Sequence, residues 1–207
     1  MVDLDTRLRE SDFERWASSR LAATERQRSD LTTLYAFEAE LAAIPLRVSQ
    51  PILAEMRFTW WSEQMDGVFS GRPRKGHPVL ERLGELAGRA DLDRQIFDGL
   101  ITARVDQVYG RADNAGAIFV TPMLQAVSVL VGTGYDAAAK GAAEVWKRRQ
   151  QGDVEGAWEG RAIANQALRD LPVAAFPAVA HAALRSETEP QAVKRLRLVG
   201  AALLGRI

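Results

Sequence analysis

No stretch of this chain alternates β-branched and polar residues for long enough to make a strand, while alanine, leucine, arginine and glutamate dominate almost every window. A sheet is therefore excluded, and an all-α chain is expected. The clearest stretch is 34–69, "LYAFEAELAAIPLRVSQPILAEMRFTWWSEQMDGVF", which reads as two helices hinged at a proline. The first of these starts near Ser29 or Asp30 and carries Leu31, Leu34, Tyr35, Phe37, Leu41 and Ile44 on a broad apolar face. Pro45 ends or kinks it, having no amide proton to give and clashing with the preceding turn. The second has Ser49 as a cap and Pro51 in its first turn, and it runs to Phe69 with a stripe of Leu53, Met56, Trp60, Trp61, Met65 and Val68. The loop "SGRPRKGHP" breaks it.

An earlier helix is expected over 11–27 with Ser11 or Asp12 as its cap, and later ones over 78–88, 91–109, 117–131, 134–150, 154–170 and 189–204. "GRADNAG" at 110–116 and "SETEP" at 186–190 are loops, too short and too unbiased to be interdomain linkers. Residues 1–207 are read as a single domain, a helical bundle with one core. Charge names no partner, since 27 basic residues balance 27 acidic ones, and nucleic-acid binding is not expected. The absence of cysteine excludes thiolate metal sites and cysteine nucleophiles. The start "MVDLDTRLRESDFERW" reads as neither a secretory signal nor a transit peptide. The most apolar window, 171–184, holds two prolines and falls short of the roughly 20 residues of a membrane span, so no transmembrane segment is expected.

Motifs for common chemistries are missing. His77 and His181 are the sole histidines and stand far apart in sequence, His77 in a helix entry and His181 among alanines. Arg72, Arg74 and Lys75 are weak candidates for phosphate contacts, although a short charged loop is usually just solvated. Trp60 and Trp61 project about 100° apart on a helix and read first as large core side chains. With Tyr35, Phe37, Phe58 and Met65 they form the candidate lining of an apolar cavity.

The segments "LYAFEAELAAI", "VSQPILAEMRFTWWSEQMDGVFSG" and "GHPV" resemble the N-terminal half of the squalene/phytoene synthase family, and "LQAVSVLVG" and "RDLPVAAFPAV" are similar to its later segments. The resemblance implies the isoprenoid (terpenoid) synthase fold, a helical bundle around a deep apolar cavity. Active members condense two prenyl diphosphates head to head, with magnesium held on two aspartate-rich motifs because a hard cation takes carboxylate oxygens. The three aspartates of the first motif, DDxxD, fall here on Ala42, Ala43 and Leu46. Where the second motif belongs, Asp136 and Asp153 are isolated and Lys140 stands at the spacing that asks for an acid. Glu38 and Glu40 lie about 200° apart on a helix, and Glu55 and Glu63 are separated by roughly 12 Å along one, so neither pair can share an ion.

The same "AFxxELA" replacement marks a branch of the family known as a respiratory complex I assembly factor, and the chain is similar to that branch. Even there an acid often persists at the positions of Leu46 and Gln50. Two functions are thus implied. One is a non-catalytic protein with a degenerate active site, needing no cofactor, that binds an apolar lipid or isoprenoid, or a protein partner at a membrane complex. Its expected place is the cytoplasm, or the periphery of the inner membrane. The other is a magnesium-dependent prenyltransferase of isoprenoid biosynthesis that uses dispersed acids such as Glu38, Asp66, Asp106 or Asp136. The loss of both motifs points away from catalysis.

Overall fold

The structure, a computed structural model, describes residues 3–90, 92–111, 116–186 and 188–207. Among them there is no strand, and the chain is all-α in an arrangement of the isoprenoid synthase type. The helices are α1 (Leu4–Ser11), α2 (Phe13–Ser19), α3 (Glu25–Arg47), α4 (Pro51–Phe69), α5 (Pro78–Ala87) and α6 (Arg94–Val108). They are followed by α7 (Ala117–Val131), α8 (Asp136–Gln150), α9 (Val154–Ala167), the single-turn α10 (Phe176–Val179) and α11 (Gln191–Leu204).

The helix expected over 11–27 is two helices and a break. Asp3 caps α1 by accepting from the amides of Asp5 and Thr6, and Asp12 caps α2 by accepting from Arg15 N at 2.9 Å. The chain then leaves the helical path over 20–24, and α3 begins at Glu25 rather than at Ser29 or Asp30. Its start is set by a reciprocal capping box, with Thr24 Oγ1 accepting from Gln27 N and Gln27 Oε1 accepting from Thr24 N. At the other end α3 continues two residues past Pro45, which withholds one amide from the hydrogen-bond ladder and is followed by the end of the helix at Arg47. Ser49 does not cap α4. Gln50 holds the cap position without a side-chain bond, and Pro51 opens the helix with its fixed φ.

The buried stripe of α4 also differs from the expected one. Ala54, Phe58, Trp61, Met65 and Val68 are buried at 4-3-4-3 spacing, whereas Leu53 is exposed and Met56 is 64% exposed. A shift of one position rotates the face by about 100°, and Leu53 and Met56 fall on the wrong side of it.

α3 is the hub of the N-terminal half, in contact with α1, α2, α4, α5, α6 and α7. α8 and α9 form a hairpin that joins this group through α7 and the segment 171–184. The hairpin closes tightly because Gly141 offers no side chain, and a Cβ there would stand 3.1 Å from Ala164 Cα. Pro172 and Pro177 cut the segment 171–184 into short helical turns, and its residues 175–184 are all buried although Val173 is exposed. Ser18 Oγ donates to Pro177 O at 2.7 Å and Tyr35 Oη to Ala178 O at 3.4 Å, which fastens the segment onto α2 and α3. No helix among the described residues is long and apolar enough to cross a membrane.

Candidate functional site

The C-terminal half of α3 contains Ala42, Ala43 and Leu46, the positions at which the resemblance places the first motif, and none of them supplies a side-chain oxygen. Ala42 and Ala43 are half-buried, and Leu46 is 88% exposed on the last turn. Ala43 borders an open cleft of about 550 Å³ between α1 and α3. Two acids, Glu10 and Glu40, line that cleft, and Glu40 stands 3.5 Å from Arg47 and 4.0 Å from Arg7.

Glu38 lies on the opposite flank of the same helix, 2% exposed, as the 200° separation requires. Arg104 Nη2 of α6 donates to its Oε2 at 2.8 Å, and Arg15 Nη1 of α2 stands 3.7 Å away. A hard cation needs carboxylate oxygens in an electronegative setting. Ala42, Ala43 and Leu46 supply none, and the guanidiniums beside Glu38 repel a second cation. The remaining dispersed acids stay apart. Asp66 on α4 pairs with Arg94 at the surface, Asp106 on α6 with Arg111 at 3.4 Å, and Asp136 opens α8 beside a different cleft. Asp153 accepts from Gly156 N and caps α9. Among the described residues no three acids or histidines are gathered as a metal would need.

The candidate cavity residues close on one another. Phe37 meets Trp61 edge-on at 5.4 Å and Phe97 at 5.5 Å, and Trp60 meets Trp61 at 5.2 Å. Tyr35, Phe58 and Met65 are fully enclosed. The cleft that touches Phe37 has a volume of about 10 Å³, too little for a chain of hydrocarbon. Trp60 is half-buried, with Arg74 Cζ 5.6 Å from its ring. Arg72, Arg74 and Lys75 are all exposed and border none of the clefts described above. His77 caps α5, its Nδ1 accepting from Leu80 N at 3.4 Å, and its ring lies against both Trp60 and Trp61.

A buried ionic network that the sequence reading missed runs through the centre. Glu14 of α2 accepts from Arg149 Nη1 of α8 at 3.0 Å and from Lys194 Nζ of α11 at 2.9 Å. Burial pushes the Glu14 carboxyl up, but the two cations outweigh it and hold the group below its ordinary value. Arg15, wholly enclosed, is penalised by burial and rescued by Asp12 and Glu38, so its affinity for the proton rises. Its guanidinium lies over the rings of Tyr35 and Trp146. His181 completes the group, edge-on to Trp146 at 4.9 Å, with neither ring nitrogen bonded to a protein atom. Burial first, then Arg15, pushes its pKa down to about 3, with Glu14 opposing and Arg149 adding to the fall. The imidazole is therefore neutral and fit for packing rather than proton transfer. One local signal existed for this network: α2 is seven residues long, and its buried face carries Glu14, Arg15 and Ser18, so it had to find ionic partners.

The family model described as squalene/phytoene synthase matches residues 8–117, from the middle of α1 to the start of α7. No curated protein and no solved structure matches the chain.

Proposed function

Because the chain belongs to the squalene/phytoene synthase family, we propose that it is a non-catalytic member that binds a lipid or a partner protein, in the setting of respiratory complex assembly, and does not condense prenyl diphosphates. The observation that carries this reading is the pairing of two facts on α3. The aspartate positions are Ala42, Ala43 and Leu46, and the nearest acids, Glu38 and Glu40, are already engaged by arginines. Electrostatic stabilisation of a departing diphosphate is usually the largest catalytic term, and cation repulsion at Glu38 works against it. Closure of Phe37, Trp61 and Phe97 on one another favours a ligand held at the surface over one drawn into the bundle.

The test is diphosphate release by the purified protein with farnesyl or geranylgeranyl diphosphate, magnesium and a nicotinamide reductant, beside an active synthase. No release from folded protein is expected. Turnover that a chelator abolishes would overturn the reading in favour of a magnesium-dependent prenyltransferase.

A further inference from the structure

A cleft of about 520 Å³ lies between α9 and α11, beyond the residues that the family model matches. Its walls include Trp158, Ala162, Leu204 and Ile207, and its rim carries Arg161, Arg185, Arg197 and Arg206. Arg197 is paired with Glu189 at 2.8 Å. Among the described residues no carboxylate lies within ion-pair distance of Arg161, Arg185 or Arg206. Arg161 is anchored by two bonds from Nη2 to the carbonyls of Ala183 and Leu184, at 3.1 and 3.2 Å. Burial lowers its affinity for the proton, and Arg185, Arg197 and Arg149 lower it further against the lone opposition of Glu189. Among the described residues the rim thus carries three arginines without an ion-pair partner beside the paired Arg197.

Exposed apolar side chains lie in the cleft, where Leu204 is 64% exposed, and on the neighbouring face of α11. Trp158 is 62% exposed and stands between two cations, with Arg161 Cζ 5.6 Å and Arg185 Cζ 5.5 Å from its ring. On α11, Leu196, Val199 and Leu203 form an exposed stripe at three- and four-residue spacing, and Leu203 is 81% exposed.

We propose that the α9–α11 cleft docks the protein on a bilayer of anionic phospholipid, with headgroup phosphates held by Arg185, Arg206 and Arg161 and with Trp158 and Leu203 seated at the interface. Guanidinium groups match phosphate in two-pronged geometry, and an indole is suited to the headgroup level because one edge is polar and the rest apolar. Arginines interleaved with leucines are the composition of a helix that lies on a membrane. A nucleic acid would satisfy the arginines and leave the leucines in water. A second copy across a two-fold axis would bring arginine against arginine. The proposal is independent of whether the family chemistry is lost, since the vesicles in its test contain no prenyl diphosphate.

Sedimentation of the full chain with vesicles of phosphatidylcholine, alone or mixed with phosphatidylglycerol, tests it. Binding to the mixed vesicles alone, weakened by salt, is expected. Arg185 and Arg206 are exposed, so the double variant Arg185→Gln, Arg206→Gln keeps the fold and should bind about 25-fold more weakly, at about five-fold per arginine. Leu203→Asp, also at an exposed position, should weaken binding without touching a cation. Wild-type tryptophan emission should shift to the blue on binding, and Trp158→Phe should remove the shift. Equal binding to neutral vesicles would overturn the proposal, as would undiminished binding by the double variant. So would absence of vesicle binding together with self-association that Leu203→Asp breaks, or saturation of the site by inorganic phosphate without affinity for vesicles.

Discussion

Glu14 keeps its charge inside the core because two cations from distant helices, Arg149 and Lys194, reach it at hydrogen-bond distance. Removing one member strands the others, so Glu14→Leu should cost about 3–5 kcal/mol in urea unfolding, more than a surface ion pair such as Glu25 with Arg28 contributes. The neighbouring His181 makes a prediction in pH. Its folded pKa lies near 3 against an ordinary 6.5, so between those values the unfolded chain binds a proton that the folded chain does not. Stability should therefore fall as pH drops through this window, by up to about 1.4 kcal/mol per pH unit. Glu14, whose pKa is lowered, adds its own loss only below its ordinary 4.5. His77 is shifted down as well, by burial first, and acts in the same direction. Denaturant melts from pH 6.5 to 5 should flatten markedly in His181→Leu, and a slope equal to the wild type would show that His181 is not the buried neutral group described. At this scale the sequence was partly legible. His77 was readable as a helix entry from the proline that follows it, whereas the partners of Glu14 lie 135 and 180 residues away and leave no local trace.

Helix boundaries follow caps more closely than apolar periodicity. "TERQ" at 24–27 is a capping box in plain sequence, and it overrides the helical propensity that suggested one continuous helix over 11–27. Thr24→Ala should cost about 1 kcal/mol of stability, read by thermal unfolding. A larger effect is expected at Gly67, where α4 meets the loop that folds back on it: Arg72 N donates to Gly67 O at 2.7 Å, and a Cβ on Gly67 would stand 2.7 Å from Arg72 O. Since that oxygen is backbone, Gly67→Ala must displace the turn. It should lower stability more than Gly99→Ala, whose Cβ meets nothing, and hydrogen exchange should quicken at Arg72. The C-terminal half of the expected α4 stripe, Trp61, Met65 and Val68, is buried, whereas at its N-terminal half Ala54 and Phe58 are buried in place of the apolar but exposed Leu53 and Met56. Periodicity alone cannot choose between two overlapping faces when both carry apolar residues. The helix 117–131 was legible to the residue, being bounded by Gly116 and Gly132, and the end of α4 at Phe69 was legible too, whereas its cap lies one residue beyond the expected Ser49.

At the scale of the whole molecule, the proposed absence of catalysis is open to test by substitution on α3. Restoring aspartate at 42, 43 and 46 should leave diphosphate release at the level of the unmodified chain. Leu46 faces solvent, and α8 presents Asp136 and Lys140 where a second acidic set would be required. Circular dichroism must show the triple variant folded, and release that depends on magnesium would show that the second acidic set is not required. The sequence by itself determined the helical class, because helix-forming residues and the lack of alternation are properties of every local window. It also determined the family, whose segments are carried by identities at fixed spacings. Tertiary structure alone decided that the aromatic side chains of α3 and α4 close on one another, that Glu38 is held by Arg15 and Arg104, and that four arginines gather at the rim between α9 and α11. Each of these depends on which helix faces are brought together across long spans of chain, and packing free energy, not local propensity, makes that choice.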